Sequence, residues 1–393
     1  MMNNNYTLRF RMIKRHTSPA AIFLILLLFA SGCDILNRKH PTQIVFTSDS
    51  HFGYTRSAFL GDSNVSALIV NEAMIRKINT LPTVTLPADS GACAGLPISE
   101  IDYLINTGDI ANRSESGIQG AAKSWEQFTT SYINGLTTKN SKNQKTELWL
   151  LPGNHDVSNA IGHYKIVGVP ADNSSLLGIY NYMFPENQKT SSTYNYTTDK
   201  IHFSKNVAGV HFVFVNIWPD SEERAWMEND LKSVEATTPV VLFTHDEPDA
   251  ESKHFSNPNG VHDINATDKF ENLLCDVFKD GTSVSDSDVV EQREFVSFLK
   301  AHPNIKAYFH GNAHQNRFYT YQGPDKDVNL KTIEVDSPMK GEVSGSDQTK
   351  MSFQLITIDP ETKLMTVRQC LWNTNPAKDE TPIAWGAKIT IHL

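Results

Sequence analysis

The sequence predicts an α/β fold, a four-layer α-β-β-α sandwich of two mixed β-sheets flanked by helices. Three observations predict it. Five short, nearly continuous apolar runs recur along the chain, as strands buried on both faces require. Each run is followed within a few residues by a polar residue able to carry chemistry, and ligands in layered α/β proteins bind at the carboxyl ends of such strands. Between the runs lie segments with apolar residues at helical spacing, and near the end of the chain the pattern changes to strands.

Taken in order, Ile44-Val45-Phe46 leads to Asp49 and His51. Leu68, Ile75 and Ile78 mark a first helix. Tyr103-Leu104-Ile105 leads to Gly108-Asp109. Ile118, Ala121, Trp125, Phe128 and Tyr132 are spaced by 3, 4, 3 and 4, the stripe of a second helix. Leu148-Trp149-Leu150-Leu151 leads to Gly153-Asn154-His155-Asp156, and Val240-Val241-Leu242-Phe243 leads to His245. A third helix, capped by Asp286 or Ser287, runs to about Lys300. Ile305 and Ala307-Tyr308-Phe309 then lead to Gly311 and His314. Phe353–Ile358 and Leu364–Val367 flank Asp359-Pro360-Glu361, a turn signal between two strands. The domain is expected over 41–372, with a C-terminal extension at 373–393. Two stretches read as insertions: 80–100, rich in Pro, Gly and Ser, and 247–285, polar, with His254 and His262. The second follows His245 directly. It either overhangs the site or is a solvated excursion.

The chain has 393 residues, 39% hydrophobic and 20% charged, enough for a sizeable core. Its start reads differently. Arg9, Arg11, Lys14 and Arg15 precede an uncharged apolar run, Ala20 to Ala30, and then Ser31-Gly32-Cys33. This is the layout of a secretory signal over 1–32; the run is too short for a bilayer, which needs about 20 residues. Small residues before a cysteine resemble the lipobox of bacterial lipoproteins, although Ala30 stands where that motif more often has Leu. The expectation is a lipid anchor on Cys33 and an exported, membrane-anchored protein facing the periplasm or cell exterior. Ordinary signal cleavage nearby is the alternative. Without those four cations, 31 basic residues face 44 acidic ones, a net charge of −13. Such a balance lacks the basic footprint of a nucleic-acid-binding protein. Beyond Cys33 stand Cys93, Cys275 and Cys370, an odd number without metal-binding spacing, so at least one is unpaired. A Cys93 bridge to either of the others stays open.

Singly, the polar residues after the runs are weak signals. Asp-x-His at 49–51 is common, Gly108-Asp109 is ordinarily a turn, and a lone strand-end His such as His245 is ordinarily structural. Gly153-Asn154-His155-Asp156 is more specific, and the order and placement of all of them strengthen the joint signal. Together they resemble the calcineurin-like metallophosphoesterase superfamily, whose pattern runs Asp-x-His, Gly-Asp, Gly-Asn-His-Asp/Glu, His and Gly-His-x-His. The resemblance spans about residues 43–316, with four blocks matching fully and the last in part.

The chemistry accounts for these residue types. A phosphate ester is anionic and repels hydroxide; two cations about 3.5–4 Å apart bind its oxygens and lower the pKa of a water between them. Mixed nitrogen and oxygen ligands suit Zn, Mn or Fe. The resemblance implies two divalent or trivalent ions: Asp49, His51, Asp109 and His314 around the first, Asn154 and His245 around the second, and Asp109 bridging. It implies that His155 protonates or stabilises the leaving oxygen and that Asp156 orients His155. The last block departs from the pattern: Asn312 stands where the family has a His. Asn312 ligates through its amide oxygen, another histidine such as His310 or His262 substitutes, or the second metal is weak; the first is favoured. Position 112 is Asn, so the tyrosinate-bound ferric site of purple acid phosphatases is not expected. Arg113 is a candidate for binding the substrate phosphate. The function expected is hydrolysis of phosphomonoesters or phosphodiesters. The alternative is a metal-binding or structural protein on a degenerate site, with Asn312 in its favour.

Overall fold

Every apolar run singled out above becomes a strand, and the strands that follow one another into the site are parallel neighbours. The structure, a computed structural model, describes residues 40–393 other than 113–118, 158–171, 196–197, 250–277, 280–281, 284–286 and 378–380. The signal segment with Cys33, Arg113, His254, His262, Cys275 and most of the 247–285 insertion therefore lie outside the described residues. Pro41–Leu393 form one unit.

One six-stranded sheet is built on β1 (Thr42–Thr47); β2 (Thr55–Phe59) and β3 (Asp62–Ser66) form a separate hairpin after it. β1 pairs in parallel with β4 (Tyr103–Asn106), which pairs in parallel with β5 (Glu147–Leu150). The second sheet contains β6 (Phe203–Val207), β7 (Val210–Phe214), β8 (Val240–Phe243), β9 (Ile305–His310), β10 (Arg317–Tyr321) and β11 (Leu330–Glu334). Its order is β10-β11-β9-β8-β7-β6, with the four inner strands parallel and both edges antiparallel. The expected hairpin is β12 (Ser352–Asp359) with β13 (Leu364–Leu371); β12 joins β1 antiparallel, and β14 (Ala384–His392) adds the outer edge. β7 is a sixth buried run beyond the five expected. His211 interrupts it, a buried histidine satisfied by Asp230 Oδ2 at 2.7 Å and Asn206 Oδ1 at 2.8 Å.

The two sheets meet through aromatic rings. Phe46 lies 5.6 Å from both Phe243 and Phe309, and Trp149 lies 5.4 Å from Phe214. Alternation along β9 sends Phe309 to this interface and Tyr308 to the opposite face, where it meets Phe295 of a covering helix at 5.9 Å. That helix is α6 (Ser287–Ala301), the third expected; the others are α1 (Ala67–Ile78), α2 (Ala121–Phe128), the single turn α3 (Asn154–Val157), α4 (Ser174–Met183) and α5 (Ser221–Leu231). α2 continues as a wider π turn over Thr129–Asn134, which keeps Phe128 and Tyr132 stacked at 4.4 Å in the core. No helix among the described residues is long and apolar enough to cross a membrane. The 80–100 segment lies against β13, where buried Arg368 forms a two-pronged ion pair with Asp89 at 2.9 and 3.0 Å. Cys370 is a buried free thiol on β13, so it forms no bridge with Cys93.

Candidate metal centre

The loops leaving β1 and β4 run side by side beyond the ends of their strands. The Asp49 N–H donates to the Gly108 carbonyl at 2.9 Å, and the His51 N–H donates to the Asp109 carbonyl at 2.9 Å. Each loop must turn sharply to aim its side chain at the other. Asp49, His51, Asp109, Asn312 and His314 do so at positive φ, 56°, 43°, 52°, 61° and 59°. Such conformations cost non-glycine residues roughly 1 kcal/mol or more each and cluster at functional sites. Two motif glycines are needed for close approach. A Cβ on Gly153 would meet Asp109 Oδ1 at 2.1 Å, and one on Gly311 would meet Asp49 Oδ2 at 2.3 Å.

Asp49, His51, Asp109 and His314 each direct one ligand atom into a common space, all within 4.8 Å of one another. His51 Nε2 and His314 Nε2 are 3.1 Å apart. Asp49 Oδ1 lies 3.2 Å from His314 Nε2, and Asp109 Oδ2 lies 3.6 Å from His51 Nε2. Asp49 Oδ1 is buried and has no hydrogen-bond partner among the described residues. Nitrogen and oxygen donors in this mixture suit a divalent transition metal, and the orphaned carboxylate oxygen fits the same conclusion.

The other oxygen of Asp109 faces a second group. Asp109 Oδ1 lies 3.3 Å from His245 Nε2, which is also 3.1 Å from Asn154 Oδ1. His245 Nδ1–H donates to the Thr107 carbonyl at 2.8 Å, so Nε2 is the nitrogen turned toward the two oxygens. With Nδ1 carrying the proton, three acceptor atoms converge, and a cation or an added proton satisfies them together. Burial works against charging His245, but the Asp109 carboxylate outweighs it and raises its pKa well above the ordinary value. Burial holds the His51 imidazole down at about 3 and lowers His155 as well. Burial raises the Asp49 and Asp109 carboxyls, yet the surrounding histidines overcome it and keep both below the usual carboxylate range.

His155 stands beside both groups. Its backbone N–H donates to Asp109 Oδ1 at 2.9 Å, and its Nε2 is 3.7 Å from Asp109 Oδ2. The expected partner of its ring is corrected here. Asp156 does not orient His155: its carboxylate accepts the N–H groups of Ile110, Ala111 and Gly153 at 3.0–3.2 Å, clamping one loop to the other. The Nδ1–H of His155 donates instead to the Asn112 carbonyl. Burial and the neighbouring Asp109 charge push Asp156 up to about 6.

Asn312 reaches the site by its backbone, whose N–H donates to Asp49 Oδ2 at 3.0 Å; its amide nitrogen donates to Glu247 Oε2 at 2.8 Å. Glu247, two residues after His245, carried no signal in the sequence. His310 is not a substitute ligand. It is buried, its Nε2 meets the Tyr319 hydroxyl at 2.9 Å and its Nδ1 meets the Gly311 carbonyl at 2.9 Å.

A family model described as calcineurin-like phosphoesterase matches residues 42–316. Among solved structures, a structure of PhoD is similar at 11% identity and a TM-score of 0.47, covering 90% of this chain and 70% of that one. A conserved uncharacterized protein from Streptococcus pneumoniae is similar at 8% identity and a TM-score of 0.32, covering 90% and 98%. Vps29 from Entamoeba histolytica is similar at 8% identity and a TM-score of 0.32, covering 89% and 99%. No curated protein matches the sequence.

Proposed function

This chain belongs to the calcineurin-like phosphoesterase family, and from that premise we propose that it hydrolyses phosphomonoesters or phosphodiesters at a site for two metal ions, Mn, Fe or Zn. The observation that carries the reading is the division of Asp109: Oδ2 faces His51, and Oδ1 faces His245 and, beyond it, Asn154. Asp49, His51, Asp109 and His314 would hold one ion. Asp109, Asn154, His245 and the amide oxygen of Asn312 would hold the other. When bound, such a pair neutralises the phosphate and lowers the pKa of a water between the ions. The chain's own residues do the rest. The clamped loops keep Asp109 between the two groups. His155 acts at the leaving oxygen, held from behind by the Asn112 carbonyl.

The experiment is hydrolysis of aryl phosphate mono- and diesters by protein loaded separately with Mn, Zn and Fe. Metal-dependent turnover of either ester is the expected result. A second reading, a metal-binding protein without hydrolase activity, is favoured by the engagement of Asn312 with Glu247 where the family has an imidazole. Stoichiometric metal uptake with no turnover of either ester would establish it. We also propose that the enzyme lies outside the cytoplasm, tethered through lipid on Cys33; the signal layout over 1–32 supports this. Membrane association that survives Cys33→Ser would remove the tether from the proposal.

A further inference from the structure

We propose that Lys340 binds the substrate's phosphoryl group as a third cation beside the metal site, favouring the dianion of a phosphomonoester over the monoanion of a diester. The inference rests on the phosphoesterase reading above and deepens it to a substrate class.

The segment after β11 is fastened to the metal centre at several points. Ser337 Oγ donates to the Asp49 backbone carbonyl at 2.8 Å and accepts the Met339 and Lys340 N–H groups at 3.1 and 2.9 Å. The Glu342 N–H donates to the His314 carbonyl at 2.9 Å. From β2, buried Arg56 donates to the Pro338 carbonyl at 3.1 Å and also to the Ser344 carbonyl. The backbone that carries Lys340 is therefore tied directly to Asp49 and His314, two residues of the first metal cluster.

Half-buried Lys340 places its Nζ 5.4 Å from the centre of the exposed Tyr54 ring. The Tyr54 N–H in turn donates to the His51 carbonyl at 3.0 Å. The ammonium thus lies against the loop that carries His51, on a segment tied to Asp49 and His314. A fixed cation here opposes metal ions in the adjacent cluster. An anion drawn between the ammonium and the metals is attracted to both, and those attractions offset the repulsion between the cations. Lysine is a compact point charge with three donors, suited to phosphate oxygens. A second negative charge on the ligand doubles its attraction at a given distance, which is why the monoester dianion gains more than the diester.

The test uses the full chain loaded with Mn, as wild type, Lys340→Met and Lys340→Arg. Inorganic phosphate is titrated by calorimetry, Mn affinity is measured separately, and KM and kcat are determined for an aryl phosphate monoester and diester. In Lys340→Met, phosphate affinity is expected to fall and monoester KM to rise about 10- to 100-fold, the worth of a charge-assisted hydrogen bond. The diester KM should change much less, kcat should change little, and Mn should bind as tightly as in wild type or tighter. Lys340→Arg should restore most of the phosphate affinity. Phosphate affinity unchanged in Lys340→Met overturns the proposal. So does weakened Mn binding, because Lys340 would then serve to hold its loop in place. If loaded wild type binds phosphate but turns over neither ester, the hydrolase reading fails, and the phosphate titration still decides the role of Lys340.

Discussion

His155 and Asn312 make separable demands on experiment. An imidazole that acts on the leaving oxygen matters most when that oxygen leaves badly. His155→Ala is therefore expected to slow hydrolysis of alkyl phosphates by roughly 10²–10⁴-fold. Nitrophenyl esters should lose far less, because nitrophenolate departs without a proton. Metal content should stay near wild type, since the backbone N–H that holds Asp109 survives the substitution. Equal losses on the two substrates would assign His155 to binding instead. Asn312 is tested through metal. A neutral amide oxygen is a poorer ligand than imidazole for Zn and its neighbours, so the second site should be the labile one. Asn312→His should tighten it, by about 10–100-fold for a change at a ligand, and Asn312→Ala should weaken it. Titrating activity with Mn reads both; a curve unmoved by Asn312→Ala removes Asn312 from the ligand set. At this scale the sequence exposed the residues that follow buried runs. It did not expose Glu247 or Lys340, because nothing local distinguishes a charged loop residue near the site from one in solvent.

Between residue and fold stands the clamp made by α3. Its Asp156 accepts three N–H groups from two loops, all buried. Asp156→Ala strands those donors, and a buried donor without a partner costs about 1–3 kcal/mol. Stability should fall by at least about 2 kcal/mol, with metal affinity down roughly 10–100-fold as Asp109 loosens. Asp156→Asn keeps one acceptor oxygen and should lose less in both. Denaturant unfolding of metal-free protein and a Mn titration measure the two effects. A loss of stability with unchanged metal affinity would show that the clamp does not reach Asp109. The sequence suggested a different target for Asp156, its neighbour His155. The family resemblance implied that reading; the side-by-side packing of the β4 and β5 loops decided otherwise.

For the whole molecule, buried acids set a pH dependence. Asp220 caps α5 by accepting the Glu223 N–H at 2.9 Å, and its other oxygen has no partner among the described residues. Burial raises its pKa from the ordinary carboxylate value to about 7. The folded state therefore holds a proton that the unfolded chain releases near pH 4. The stabilisation is complete below that pH and is lost as pH rises toward 7. Buried His51 and His310, both lowered to about 3, act in the opposite sense, losing stability as pH falls below 6.5. Only a difference measurement isolates Asp220. Asp220→Asn cannot ionise, so its stability relative to wild type should rise between pH 4 and 8, on the order of a few kcal/mol. Parallel pH curves for the two proteins, measured metal-free by denaturant unfolding, would refute the assignment.

The chain's local pattern alone determined the buried strands, the helices between them and the order of polar residues at strand ends. These follow from burial and periodicity, which act over a few residues at a time and leave a direct trace in residue type. The run at β7 was less visible only because a satisfied histidine interrupts it. Tertiary structure decided which atoms meet: that Asp109 turns one oxygen to each group, that Asn112 rather than Asp156 backs His155, and that the segment after β11 brings Lys340 against Tyr54. Those contacts join residues 43 to 286 positions apart. They depend on sheet pairing and loop packing, and such distances leave no periodic signal in the sequence.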